Sequence, residues 1–416
     1  KYMLLNKDRS NRIMDKYKLD ALVAREHINI YYLSDYWDTQ ADGRWPYLVY
    51  AVLPREETNE PSLIIPSVKL ERLSVWPTWM KNIIPYSDYS GREHISGNKL
   101  NSNEPVGAKW SGWPVKKGAN LTELELHWIN LANKYKDQMA ATSTWALYRS
   151  LKESNLDGKR IGSDDPRVLE WIKSMGLNNI EIVDATNIFR EIRMIKSTAE
   201  IQTLRLAAKV NEKACLDAST NLNIGDTWDM IEKKYHISMS EQGGRNGHII
   251  TSLGGLPEGK IIEGKPFLVD ALGEYKNYFG DFGRTVIFGE PSKELRIRAN
   301  SMMQGLKEAH NFIKPGMKKS EIISKVIDIV KKSGFSEFFY VSPHSLGLEH
   351  TDQPIPLGSK IHSNDTDFII ENDMVLNIDM PYFEWGWGTM HLEDTLLVSE
   401  GKNEFLTSFS EPLIIN

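Results

Sequence analysis

Residues 265–288, KPFLVDALGEYKNYFGDFGRTVIF, constrain the fold more than any other stretch of the chain. Two apolar, β-rich runs flank a polar turn at residues 273–277, so the segment reads as a β-hairpin. It carries Asp270 and Asp281 where a globular core calls for apolar side chains. The midpoint between them falls between Tyr275 and Lys276, inside the turn, which predicts that the two aspartates face each other. Directly opposed residues of an antiparallel pair have Cβ atoms about 4.5–5.5 Å apart, so two carboxylates there repel unless a proton or a cation lies between them. A metal is the simplest such agent, and a solvated turn or edge aspartate is the plainer alternative.

A second hairpin near the C-terminus repeats the arrangement. In NDMVLNIDMPYFEWGWGTMHLEDTLLVSE, Asp379 and Glu393 are equidistant from Gly386, which again sets one carboxylate opposite another. Between the hairpins lies PHSLGLEH, a polar segment with His344 and His350. Taken singly, a histidine is more often a satisfied core or surface group, and Glu393 could pair with a lysine. Jointly, four carboxylates and an imidazole suit two divalent cations such as Mn, Co or Zn.

The length of 416 residues suits two domains, and the 41% hydrophobic and 25% charged content is that of a soluble globular chain. No run approaches the roughly 18 apolar residues of a membrane span. The first twenty residues are charged throughout and lack an apolar core followed by a cleavage site, so a cytoplasmic location is expected. A single cysteine, Cys215, excludes an intramolecular disulfide and a multi-cysteine zinc site, leaving histidine and carboxylate as metal ligands. The net charge of -6 argues against nucleic acid or an anionic membrane as partner and favours a small substrate.

Residues 1–190 alternate short apolar runs with helical stretches, as an α/β domain does. Strands are expected at 21–24, 47–53, 62–66 and near 180–183, and helices at 4–17 and 165–175. The aromatic segment 31–50 includes Trp37 and Trp45, which read either as core anchors or as the wall of a pocket. Ser197 followed by Glu200 is a capping box that opens the second domain, residues 191–416, with a long helix. Further helices are expected at 227–241, 293–312 and 319–333, covering a sheet of hairpins in an α+β arrangement.

The ordered set Asp270, Asp281, His344, Asp379 and Glu393, with its flanking text VDALGEYKNYFGDFGRT, PHSLGLEH and MHLEDTLLV, resembles the pita-bread metallopeptidase family. That family includes methionine aminopeptidases, aminopeptidase P, prolidases, creatinase and a group of dimethylsulfoniopropionate lyases, and EIRMIKSTAEI looks like the entry into its catalytic domain. The resemblance implies a C-terminal pita-bread domain behind a smaller creatinase-like α/β domain, two divalent metal ions (Mn, Co, Zn or Fe) and a homodimer. Asp281 and Glu393 would bridge the ions, Asp270 would complete one shell, and His344 with Asp379 the other. His350 would steady the tetrahedral intermediate and His248 would gate the substrate, while Tyr340 and His391 are read as substrate-facing.

The implied reaction is hydrolysis of a dipeptide or small amide by attack of metal-bound hydroxide, as in prolidase and aminopeptidase P. Three departures stand out. Asp379 replaces a glutamate of the peptidases, His391 stands where prolidases carry an arginine, and the spacing from His344 to His350 is one residue shorter than in most peptidases. A second reading is therefore a lyase or a creatinase-like C–N hydrolase, with His350, Tyr340 or Asp352 as base and Trp37 with Trp45 as a cation-π cage. A third is a binding protein that kept the fold without activity.

Overall fold

Two kinds of apolar pattern, continuous in the first half and alternating in the second, produce two different sheets. The computed structural model describes residues 3–37, 48–87, 104, 112–250, 256–356 and 367–416. It divides into two compact units, Lys1–Ile192 and Arg193–Asn416. Among the described residues no helix is long and apolar enough to cross a membrane.

The first unit is built on β1 (Ala21–Ala24), β2 (Tyr50–Pro54), β3 (Ser62–Pro66), β4 (Asn82–Tyr86), β5 (Arg160–Ser163) and β6 (Glu181–Asp184), ordered β4-β3-β2-β1-β5-β6. β1 pairs antiparallel with β2 and parallel with β5. Its strands β1 to β3 are buried along their whole length, which is why they read as unbroken apolar runs. Helices α1 (Lys7–Tyr17), α2 (His27–Ser34), α3 (Glu123–Tyr135), α4 (Ser143–Glu153), α5 (Pro166–Ser174) and α6 (Thr186–Arg193) complete it. The sequence reading lacks α3, α4, β5 and α6, and also α2, because HINIYYLS shows no helical period, and β4, whose NIIPY contains a proline.

The second unit begins with α7 (Thr198–Thr220), where the Ser197 hydroxyl accepts from the Glu200 amide and the Glu200 carboxylate accepts from the Ser197 amide. There follow α8 (Trp228–Glu241), β7 (Arg245–Ile250), β8 (Phe267–Tyr275), β9 (Tyr278–Ile287), α9 (Lys293–Phe312) and α10 (Lys319–Lys332). The chain then runs through β10 (Ser342–Ser345), β11 (Val375–Glu384), β12 (Gly388–Leu397), β13 (Glu404–Phe405) and β14 (Leu413–Ile415). The sheet order is β10-β11-β12-β9-β8-β7, with β13 on β12 and β14 on β9.

Strand alternation separates this sheet into an apolar and a polar face. Val269, Ala271 and Phe282 pack with Cys215 and Tyr235 of α7 and α8, while Ile378, Met390 and Leu392 pack with Met302, Leu306 and Val326 of α9 and α10. The residues between them in sequence, Asp270, Asp281, Asp379, His391 and Glu393, therefore point to the other face. Close approach of α7 requires Gly280: a Cβ there would lie 2.3 Å from the Ala207 carbonyl oxygen.

The β8–β9 register corrects one expectation. Lys276 and Asn277, both at positive φ (49° and 70°), make a two-residue turn, so Tyr275 pairs with Tyr278. Asp270 consequently faces Gly283, and Asp281 faces Leu272. Moving the turn centre by one residue shifts the partner by two, so the aspartates become diagonal neighbours and stay on one face. The C-terminal hairpin does set Asp379 directly opposite Glu393, with Gly386 at the centre of its turn and φ of 83°.

Candidate metal centre

Five strands deliver side chains to one point on the polar face. Glu393 pairs with Gly283 across β12 and β9, which joins the two hairpins side by side, and His344 on β10 pairs with Asn377 on β11. His344 Nε2 lies 3.5 Å from Asp281 Oδ2 and 3.9 Å from Glu393 Oε1. His350 Nε2 lies 3.1 Å from the same Asp281 oxygen. His391 Nε2 lies 2.8 Å from Asp379 Oδ1 and 3.4 Å from Glu393 Oε2. Donor atoms of Asp281, His344 and His350, of Asp270, His391 and Glu393, and of His344, Asp379 and Glu393 form three overlapping groups, each within 4.8 Å.

Asp281, His344, His391 and Glu393 are buried, Asp270, Asp379 and His350 are half-buried, and several of their polar atoms lack conventional partners. Asp270 Oδ1, both Asp281 oxygens, His344 Nε2, His391 Nδ1 and Glu393 Oε2 have no well-formed hydrogen bond. Each such atom costs about 1–3 kcal/mol when left unsatisfied. A cation would satisfy several at once. With ligand bonds of about 2.0–2.2 Å, adjacent donors on a tetrahedral ion sit about 3.3–3.6 Å apart, close to the spacings observed. The donor set, carboxylate and imidazole without thiolate, therefore fits a divalent metal.

The charges of the clustered carboxylates and imidazoles shift one another's protonation equilibria. Burial, followed by the charges of Asp281, Asp379 and Asp270, holds Glu393 protonated well above the usual carboxylate range. Burial also pushes Asp270 up to about 7, although His391 opposes it. Asp281 resists burial and ends below its ordinary value because His350 and His344 face it. Burial lowers His344, whereas the carboxylates beside His350 and His391 overcome burial and raise both. Asp281 is shared by two imidazoles while Asp270 and Glu393 hold their protons more tightly than usual, a charge pattern that a pair of cations would replace.

The remaining predicted residues fall differently. His248 is exposed on β7 opposite Leu272, in the same cross-strand row as Asp281. His391, read as substrate-facing, instead turns into the carboxylate cluster. Tyr340 is 48% exposed just before β10. Trp37 is 4% exposed, with His27 and Tyr31 edge-on to its ring, and so is a core anchor of the first unit rather than an open cage wall. Trp45 lies outside the described residues. Asp352, weighed as a base, is fully buried and held by Arg193 Nε (2.8 Å) and Lys196 Nζ (2.9 Å), which keep it below the usual carboxylate range.

Sequence reasoning missed three supporting residues. Asn377 donates from Nδ2 to Glu393 Oε1 at 2.6 Å and fixes that carboxylate. Arg193 and Lys196 anchor the segment carrying His350 through Asp352, and Arg193 also contacts Glu349. A neutral Asn two residues before Asp379 on the same strand face was the available signal for the first. The ion pairs span some 156–159 positions and leave no local trace.

A model of metallopeptidase family M24 matches residues 184–400, just over half the chain. An Xaa-Pro dipeptidase of Pyrococcus horikoshii is 24% identical over 292 residues, covering 63% of this chain and 82% of the relative. An Xaa-Pro dipeptidase of Pyrococcus furiosus is 26% identical over 239 residues, covering 55% of this chain and 67% of the relative. Among solved structures, an Xaa-Pro dipeptidase from Bacillus anthracis superposes with a TM-score of 0.69 at 18% identity over 99% of both chains, which establishes the two-domain, pita-bread fold. By the extent of the family match, this chain belongs to metallopeptidase family M24.

Proposed function

We propose that the chain is a metal-dependent dipeptidase of the prolidase branch, hydrolysing Xaa-Pro dipeptides or a related small amide. The observation that carries this reading is the convergence of Asp270, Asp281, His344, Asp379 and Glu393 on one point, with polar atoms of Asp270, Asp281, His344 and Glu393 buried there without a hydrogen bond. Two ions would fit, with Asp281 and Glu393 shared between them, Asp270 on one side and His344 with Asp379 on the other. The family relationship and the names of the relatives support the substrate class. A homodimer belongs to the same proposal and is checked by light scattering.

Bound divalent cations would supply Lewis acidity for a carbonyl oxygen and a water of lowered pKa. The chain's own groups do the rest. His350 keeps 39% of its side chain exposed while Nε2 touches Asp281, so it holds a proton at the open edge of the centre, where a developing oxyanion or leaving nitrogen could take it. Phe279 stands edge-on to the His350 ring. Asn377 prevents Glu393 from rotating. The lyase alternative loses its cage wall with the burial of Trp37 and one of its bases with the ion pairing of Asp352.

A substrate panel tests the reading. Protein supplied with Mn, Co or Zn should hydrolyse Gly-Pro or Ala-Pro, and Asp281→Ala should abolish this by at least about a thousandfold. Turnover confined to betaines, sulfonium acids or guanidino acids would overturn it.

A further inference from the structure

His391 occupies a place in the centre that a substrate-facing role does not explain. Gly283 lies in register between Asp270 on β8 and Glu393 on β12, and its missing side chain leaves a gap. The His391 ring fills that gap: a Cβ on Gly283 would lie 2.9–3.0 Å from Cδ2, Cε1 and Cγ of the imidazole. The side chain is 3% exposed, with Asp379 and Glu393 within 3.4 Å of Nε2 and a donor atom of Asp270 in the same 4.8 Å group. Its Nδ1 is buried without a hydrogen bond. Glycine beneath, three carboxylates around and one idle ring nitrogen are the surroundings of a ligand.

We propose that His391 is itself a metal ligand, adding an imidazole donor to the ion held against Asp270 and Glu393; this rests on the reading of the cluster as a metal centre. Asp379 then has two functions, one oxygen orienting the His391 ring and the other free for an ion. The arrangement is a carboxylate–histidine–metal relay of the kind that fixes ring orientation and raises donor strength. With His344 and His391 both contributing, the centre gains nitrogen character, which favours Zn, Fe or Co over Mg or Ca.

The test is X-ray absorption spectroscopy on the full-length protein, stripped by chelator and reloaded with Zn, in wild type and His391→Gln. Loss of one imidazole per chain from the outer-shell scattering, with the dissociation constant of at least one ion raised about 100-fold or more, is the expected result. An unchanged imidazole count overturns the proposal, whether or not affinity falls, because His391 would then act only by positioning Asp379. If the variant fails to fold, a crystal structure of the Zn-loaded wild type decides. A His391 nitrogen within about 2.3 Å of an ion supports the proposal, and one beyond about 3.5 Å overturns it. Neither readout uses peptide hydrolysis, so failure of the substrate assignment leaves both standing, whereas a wild type that binds no Zn refutes the metal centre itself.

Discussion

Gly283 has room for one hydrogen atom where the His391 ring comes down on the sheet, and its backbone is ordinary strand, so alanine is excluded by contact rather than by φ. Gly283→Ala should displace the ring and weaken metal binding by about 10–100-fold, as losing the groups that orient ligands does, with little change in far-ultraviolet circular dichroism. Calorimetric metal titration reads the effect. An unaltered affinity would mean that the ring moves without consequence. At this scale the residue types were legible: Asp270, Asp281, His344, Asp379 and Glu393 stand in the sequence as two carboxylate pairs around a histidine. The orientation of His391 was not, because its packing partner is a glycine 108 positions away in sequence, which shows no pattern of its own.

Among elements, the segment after β10 is tied down by charge. Asp352 accepts from Arg193 and Lys196, its backbone amide donates to the Ser345 carbonyl at 2.8 Å, and Gly347 accepts from the Phe279 amide at 2.9 Å. Asp352→Asn would leave two buried cations against a neutral group, a change that typically costs about 3–5 kcal/mol. Denaturant titration should show that loss, and hydrolysis should fall with it as His350 drifts from Asp281. The capping box of α7 adds a pH dependence. Burial holds Glu200 protonated up to about 7, against an ordinary value of 4.5. The native state therefore binds the proton more tightly than the unfolded chain, and the contribution of this group is fullest below 4.5 and declines as pH rises towards 7. Glu200→Gln should remove that decline, gaining on the wild type by up to about 3 kcal/mol between pH 4.5 and 7 in paired unfolding curves. Equal slopes for the two proteins would contradict it. The capping box and α9 were legible from local sequence because caps and amphipathic periods are local; the hairpin turn was misplaced by one residue because Lys276 and Asn277 carry no glycine to mark their positive φ.

Across the whole molecule, the second unit has a clear division of labour: helices α7 to α10 cover one face of its sheet, and the opposite face collects titratable groups. That division was readable from alternation in the hairpins. The mixed sheet of the first unit was less so, since β5 joins β1 as a parallel neighbour through a long intervening chain, and order in a sheet is set by crossovers that periodicity does not encode. The account as a whole depends on the polar face being a metal centre that hydrolyses a peptide bond. The direct measurement is Gly-Pro hydrolysis by chelator-stripped protein as Mn or Zn is added back, followed beside bound metal. The predicted curve starts near zero, rises with bound ion and saturates near two ions per chain, while Asp281→Ala stays flat. Full hydrolysis by the metal-free protein, or none with the sites filled, would contradict it.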